Sequence, residues 1–262
     1  MADEPSSDDG EEEDESTLSP EAFQQREANK LAQRRLHAAA EIVKTEVMYY
    51  TKLKIVLDVF ITPLRELRIL DEAEINVQFY TWETLLGLHK DFSDALVRDP
   101  HTPLAEHFIR YSHMFKMYQP YLNNYQRAGQ RRAELMTSNR RYADFLDKAR
   151  TDPRLRTLHI GGISDLLVGP VQRIPRYELL LSALLKYTPE GHAERARLEA
   201  AVSMIKEVLV SNNTAIGQSE DSRKNQVSGV FWALTLDPTL THTLTLTLFP
   251  TLTPTLTQTH NL

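Results

Sequence analysis

The chain has 262 residues, 41% hydrophobic and 25% charged, with no cysteine, which supports one sizeable core plus tails and excludes disulfides and Cys-based zinc sites. Its formal charge of −6 is concentrated in residues 1–15, where nine acids and no base occur; the remainder stands at +3 and carries no strong nucleic-acid footprint. No run of about 18 apolar residues suggests direct membrane insertion, and the acidic start is unlike a signal peptide, so a cytoplasmic location is expected.

Residues 1–20 (MADEPSSDDGEEEDESTLSP) are polar and acidic and are expected to be disordered, with 1–30 forming a tail that runs into the first helix. Ser19 before Pro20 and Glu21 marks the helix start. The helix is expected to run to about Ile61, ahead of Thr62 and Pro63. One apolar stripe comprises Leu36, Ala40, Val43, Val47, Tyr50, Leu57 and Ile61. A second, adjacent one comprises Ile42, Tyr49, Leu53, Val56 and Phe60. Two stripes predict burial against more than one partner. Glu41, Thr45, Met48 and Lys52 line up opposite the first stripe.

Residues 75–92 read as a second helix. Pro100 and Pro103 punctuate the chain, Pro103 suiting a first helical turn. Residues 104–125 and 128–149 read as two more helices, and Pro153, Gly161 and Gly162 separate them from the leucine-rich stretch 164–189. There, at 100° per residue, Leu166, Leu167, Pro170, Ile174, Tyr177, Leu181, Leu184 and Leu185 form a core-facing stripe. Val168, Gln172, Arg176, Leu179 and Ala183 lie opposite, a mixture of apolar, amide and guanidinium groups unlike an ordinary solvated face. In a helix interior Pro170 and Pro175 would each cost about 3 kcal/mol. The apolar period nevertheless passes through both without a change of phase, which favours one long helix, kinked or loosened early, over a loop up to Pro175. A last helix over 192–216 carries Leu198, Val202, Ile205, Leu209, Asn212 and Ile216 at alternating spacings of three and four. No strand-like segment of weight precedes residue 227, so the fold is expected to be all-α. Residues 221–262 read as a Thr/Leu/Pro low-complexity tail, in the manner of a translated simple repeat or a truncated gene model.

Conventional active sites are hard to build from these residues. Neither GxxxxGK[ST] nor GxGxxG occurs. His37 and Glu41 are four apart but lack a third ligand, so no metal and no cofactor are expected. Taken singly, Glu41 is an ordinary solvated helix residue and Arg176 a surface ion-pair partner contributing at most about 1 kcal/mol. Asn213 on the same terms is a helix-end residue leading to Gly217.

Three stretches together resemble one family. PVQRIPRYELLLSALLKYTP is similar to the third conserved region of the Dbl-homology domain, the exchange module for Rho-family GTPases, and PVQRIPRYELLL is closest to the faciogenital-dysplasia type. EIVKTEVMYYTKL resembles the first region through Glu41, Thr45 with Glu46, and Tyr49. INVQFYTWETLLGLHKDF resembles the second, including His89 and Phe92. The resemblance implies an elongated bundle of about six helices over residues 31–220. It would act as a guanine nucleotide exchange factor without covalent chemistry, on a Rho-family GTPase of the Cdc or Rac branch. It further implies that Glu41 engages switch I, that Arg176 and Asn213 hold switch II with Gln172 beside them, and that Thr45 and Leu179 belong to the same GTPase-binding surface. Thr214 departs from the glutamate that commonly follows the asparagine. No pleckstrin-homology domain, the usual neighbour, is visible after residue 220. The competing expectations are a catalytically silent GTPase-binding or scaffold domain, and a membrane-curving dimer of the BAR type, which a charge of +3 supports poorly.

Overall fold

The structure is a computed structural model that describes residues 19–217, with side chains as far as Asn213. The two expected tails lie largely outside the described residues, within which every regular element is helical.

Helix α1 (Pro20–Ile55) starts where the sequence says: the Ser19 side chain accepts from the Ala22 amide at 3.2 Å, and Pro20 occupies the first turn, where no N–H is needed. The helical path does not stop at Pro63. It widens into a π segment (Val56–Ile61) and continues as α2 (Thr62–Glu66). A proline ring would clash with the carbonyl four residues back in a tight α-turn, and the wider π turn accommodates it. The path ends at Leu67, followed by Arg68 at φ 49°.

The expected helix 75–92 is two helices. α3 (Glu72–Phe79) is capped by Asp71, which accepts from the Glu74 amide at 2.8 Å, and α4 (Trp82–Arg98) follows a break at Thr81, held at φ 60°. A β-branched residue rarely adopts that conformation, so nothing local announces the turn. The boundaries expected at 125–128 also move. α5 (Leu104–Tyr111) passes into a 3-10 segment (Ser112–Met117) and then α6 (Tyr118–Ser138). Pro103 caps α5 from just outside its first turn. Asn139 begins α7 (Arg140–Ala149), its side chain accepting from the Tyr142 amide at 3.1 Å. The short α8 (Pro153–Thr157) and α9 (Ile163–Leu167) lead into α10 (Gly169–Lys186), and α11 (Arg195–Gly217) closes the described chain. The stretch 164–189 is therefore helical through both prolines, loosened at Val168: Pro170 sits in the first turn of α10, and Pro175 is inside it.

α1 packs against α4 and α10, α10 against α11, and α11 also lies on α5, the 3-10 segment and α6. α1 and α4 are antiparallel, since Leu53 meets Trp82 and Glu46 meets His89. The core stripe predicted for α10 is buried: Leu166, Leu167, Pro170, Ile174, Tyr177, Leu181 and Leu184 face inward, with Leu185 half-buried. On α1 the two stripes have unequal fates. The second is the buried one, running Ala38, Ile42, Glu46, Tyr49, Leu53. In the first, Leu36 is 59% exposed and Val47 41%, Ala40 is exposed, Val43, Tyr50 and Leu57 are half-buried, and Ile61 at its end is buried. The apolar residues Ile42, Tyr49, Leu53, Val56 and Phe60 carry the second stripe inward, and Glu46 on that stripe is accommodated there because its carboxylate has partners inside.

Leu181→Ala deletes a fully buried side chain and is expected to lower stability by about 2–5 kcal/mol in urea denaturation. A loss well below 1 kcal/mol would show that this position does not lie in the core.

Candidate functional site

The face of α1 opposite its first stripe and the outer face of α10 form the two walls of a groove of about 440 Å³. Glu41, Lys44, Thr45, Met48 and Lys52 come from α1. Gly169, Gln172 and Arg176 come from α10, and Asp165 and Leu166 from α9. One wall thus carries a carboxylate and two ammonium groups, the other an amide and a guanidinium, with the methionine between them. Glu41 makes no ion pair among the described residues, and the Thr45 hydroxyl donates back to the Ile42 carbonyl at 3.1 Å. The side chains of Glu41, Thr45, Gln172 and Arg176 are all half-buried, and Met48 is 38% exposed.

Tyr49 and Arg173 also line this groove, and from them it opens onto a buried polar network. Glu46, wholly enclosed, is the hub. Its Oε1 accepts from His89 Nδ1 at 2.7 Å, and its Oε2 accepts from the Tyr177 hydroxyl at 2.5 Å and from Arg173 Nη2. His89 Nε2 lies 2.5 Å from the Tyr118 hydroxyl, which is 3.0 Å from that of Tyr49. The Arg173 guanidinium sits 4.3 Å from the Tyr177 ring centre and 4.9 Å from that of Tyr49, an arrangement that favours the cation.

Burial alone would push the Glu46 carboxyl up, but the Arg173 guanidinium, His89 and the Tyr177 hydroxyl hold it down at about 2. Burial pushes the proton affinity of His89 down, outweighing the pull of the Glu46 carboxylate. Burial likewise raises the hydroxyls of Tyr49, Tyr118 and Tyr177, which stay protonated. A neutral His89 that donates from Nδ1 must accept at Nε2, so Tyr118 donates to it and Tyr49 donates to Tyr118. The network then holds one anion, one cation and an ordered chain of donors.

The family model of the RhoGEF domain matches residues 38–213, a span that includes both groove walls and every member of this network. This chain belongs to the RhoGEF, or Dbl-homology, domain family. It is 32% identical over 187 residues to the myosin-M heavy chain of Dictyostelium discoideum, covering 69% of this chain and 10% of that one. It is 28% identical over 193 residues to Rho guanine nucleotide exchange factor 3 of Homo sapiens, covering 71% of this chain and 36% of that one. Among solved structures it resembles the linker-DH/PH domains of p115-RhoGEF, with a TM-score of 0.67 at 22% identity, covering 74% of this chain and 60% of that one. The PDZ-RhoGEF DH/PH domains, solved in complex with GTP-gamma-S activated RhoA, give a TM-score of 0.66 at 18% identity, covering 74% and 56%. The chain thus spans about a tenth to a third of these two curated relatives.

Within the RhoGEF domain the groove brings together four of the six site residues taken from the sequence: Glu41, Thr45, Gln172 and Arg176. Leu179, about a turn beyond Arg176, is half-buried and lies outside the groove lining. Asn213, exposed on α11, also lies outside it. Its neighbour Asn212 is 2% exposed on the apolar stripe of α11, with neither side-chain polar atom hydrogen-bonded among the described residues. Thr214 lies beyond the described side chains. Sequence reasoning missed Arg173 and the role of Glu46. The available signal was Glu46 itself, at helical spacing from Ile42, Tyr49 and Leu53: a charge on an apolar stripe implies a buried partner of opposite sign. No helix among the described residues is long and apolar enough to cross a membrane.

Arg173→Ala would strand the Glu46 carboxylate in the core and is expected to cost about 3–5 kcal/mol, measured by urea denaturation; an unchanged midpoint would contradict the network. Acid should also destabilise the RhoGEF domain in two stages. Below its ordinary 6.5, His89 gains a proton in the unfolded chain and not in the native one, so stability falls with pH. Glu46, protonated below 4.5 when unfolded but ionised to about 2 when folded, adds a further loss in that interval. Denaturation midpoints between about pH 7.5 and 5.5 should decline for the native chain and less for His89→Gln; parallel curves for the two would contradict the assignment to His89.

Proposed function

We propose that this chain is a guanine nucleotide exchange factor for a Rho-family GTPase, with the α1/α10 groove gripping the switch segments. The observation that carries the proposal is the convergence of Glu41 and Thr45 with Gln172 and Arg176 in one groove, in a chain of the RhoGEF family. Further support comes from the exchange-factor names of relatives such as Rho guanine nucleotide exchange factor 3, and from the RhoA bound to the structurally similar PDZ-RhoGEF domains. Glu41 engages switch I donors from one wall. Arg176, with Gln172 beside it, takes switch II from the other, and Asn213 meets switch II from α11. Leu179, Val168 and Met48 contribute apolar contact.

Exchange needs no proton transfer. A GTPase holds its nucleotide through the phosphate loop, Mg²⁺ and ordered switches. A surface that binds those switches best when they are rearranged stabilises the empty form. By linkage it weakens nucleotide binding by the same factor, tenfold for each ~1.4 kcal/mol of preference. GTP then enters as the more abundant nucleotide. Within the family, the wording PVQRIPRYELLL favours the Cdc or Rac branch, as does the likeness to Rac guanine nucleotide exchange factor JJ of Dictyostelium discoideum, 29% identical over 181 residues. The second reading, a domain that holds a GTPase without emptying it, rests on Thr214 in place of the usual glutamate.

Fluorescent-nucleotide release from a panel of Rho-, Rac- and Cdc-type GTPases separates the two readings: acceleration for at least one member is expected, and none for any member supports the silent domain. Glu41→Ala and Asn213→Ala should each slow release by about tenfold or more, as central interface residues do, with helicity by circular dichroism unchanged. Loss of helicity instead would mean that these side chains hold up the fold.

A further inference from the structure

A second cleft, of about 580 Å³, lies between α6, α7 and the loop that enters α9. Part of its lining is apolar: Leu146 of α7 and Ile163 of α9 are buried, and Met136 of α6 is 45% exposed. The rest is charged, with Arg132 from α6 and Arg150 from the end of α7. Arg132 is the unusual member. A half-buried guanidinium ordinarily finds a carboxylate or carbonyl for its donors. That of Arg132 forms no ion pair and no hydrogen bond among the described residues, and its Nη1 is enclosed without an acceptor. Its Nη2 lies 3.8 Å from where a β-carbon on Gly129 would stand, and Gly129 also lines the cleft.

The neighbouring acids are committed elsewhere or stand in water. Glu74 and Glu134 both pair with Arg131, at 2.8 and 2.9 Å, and Asp165 accepts from the Gly161 amide at 2.8 Å. Asp147, its side chain 84% exposed, stays 3.9 Å from Arg150 Nη1. Arg150 is anchored at its base, Nε donating to the Gly161 carbonyl at 2.9 Å, and its Nη2 is left without a partner among the described residues. Two guanidinium groups beside an apolar wall fit a carboxylate carried next to an aliphatic group, since each planar fork can take a carboxylate in two parallel bonds. A phosphate dianion is the poorer match, because Asp147 and Asp165 border the same cleft and already balance the two arginines. A peptide supplies the required pair directly, as an acidic side chain beside a leucine-like one, and the volume falls in the range of about 300–1,000 Å³ usual for ligand sites.

We propose that this cleft docks an acidic–aliphatic peptide segment of a partner protein, its carboxylate on Arg132 and Arg150 and its aliphatic side chain against Met136, Leu146 and Ile163. α9 stands between the cleft and the α1/α10 groove, Asp165 bordering both and Leu166 the groove. A segment seated here leaves the groove walls on α1 and α10 uncovered. On the function proposed above, such a partner would anchor the RhoGEF domain while its groove is in use; the docking itself does not depend on that reading.

Methyl NMR of the full chain labelled at methionine, without any GTPase, tests the docking separately from exchange, because Met136 reports on the cleft and Met48 on the groove. The probe is acetyl-Leu-Glu-Leu-amide. It should shift the Met136 methyl saturably and leave that of Met48 in place. Acetyl-Leu-Gln-Leu-amide should bind about fivefold more weakly, the scale that separates a charge-assisted hydrogen bond from a neutral one. Arg132→Gln should abolish the preference for the acidic peptide with helicity by circular dichroism retained, and Arg132→Lys should keep part of it. No Met136 shift at millimolar peptide, equal affinity for the two peptides, or an undiminished preference in Arg132→Gln would overturn the proposal. Tighter binding of the phosphoserine peptide acetyl-Leu-pSer-Leu-amide would assign the cleft to phosphate and overturn it. A Met136 shift produced by a nucleotide-free Rho-type GTPase alone would give the cleft to that partner and overturn it equally.

Discussion

The enclosed carboxylate of Glu46 is the constraint on which the bundle depends. An ionised group in a helical interior is tolerated only when its lone pairs are taken by donors of the right charge and geometry, and here Arg173, Tyr177 and His89 take them. Those donors come from α10 and α4, and Tyr118 extends the chain to α6. Apolar packing alone would let helices slide or rotate past one another at modest cost. A carboxylate with three designated donors does not, because any slip leaves a buried charge unpaired.

The same network reaches the surface. Tyr49 and Arg173 belong both to the core cluster and to the floor of the groove between α1 and α10. The separation of the groove walls is therefore fixed by buried ionic contacts and not by loops. Half-buried side chains on rigid helices lose little freedom when a partner arrives, so a surface of this kind is pre-ordered for binding. The irregular turns serve the same end. The Trp82 indole donates at 3.0 Å to the Leu53 carbonyl, just before the α-helix gives way to the π segment, tying the start of α4 to the place where α1 changes its winding.

Much of this architecture is written locally. Ser19 with Pro20 starts α1, the apolar period of α10 survives two prolines, and the stripe of α11 carries Asn212 inward. The groove walls are legible for the same reason: 41, 45, 48 and 52 share a helix face, as do 172 and 176, and helical spacing depends only on the residues of one helix. The break at Thr81 was not legible, because a threonine at positive φ is dictated by the packing of α3 and α4 on their neighbours and not by its own preference.

The sequence by itself determined the all-α class, most helix faces and the family, since periodicity, caps and ungapped motifs are properties of short stretches. Only the tertiary structure decided which stripe of α1 faces inward and what neutralises Glu46. Its guanidinium partner lies 127 positions away on another helix, and a charge counted along one helix registers as solvent-seeking until the fold supplies the opposite charge beside it.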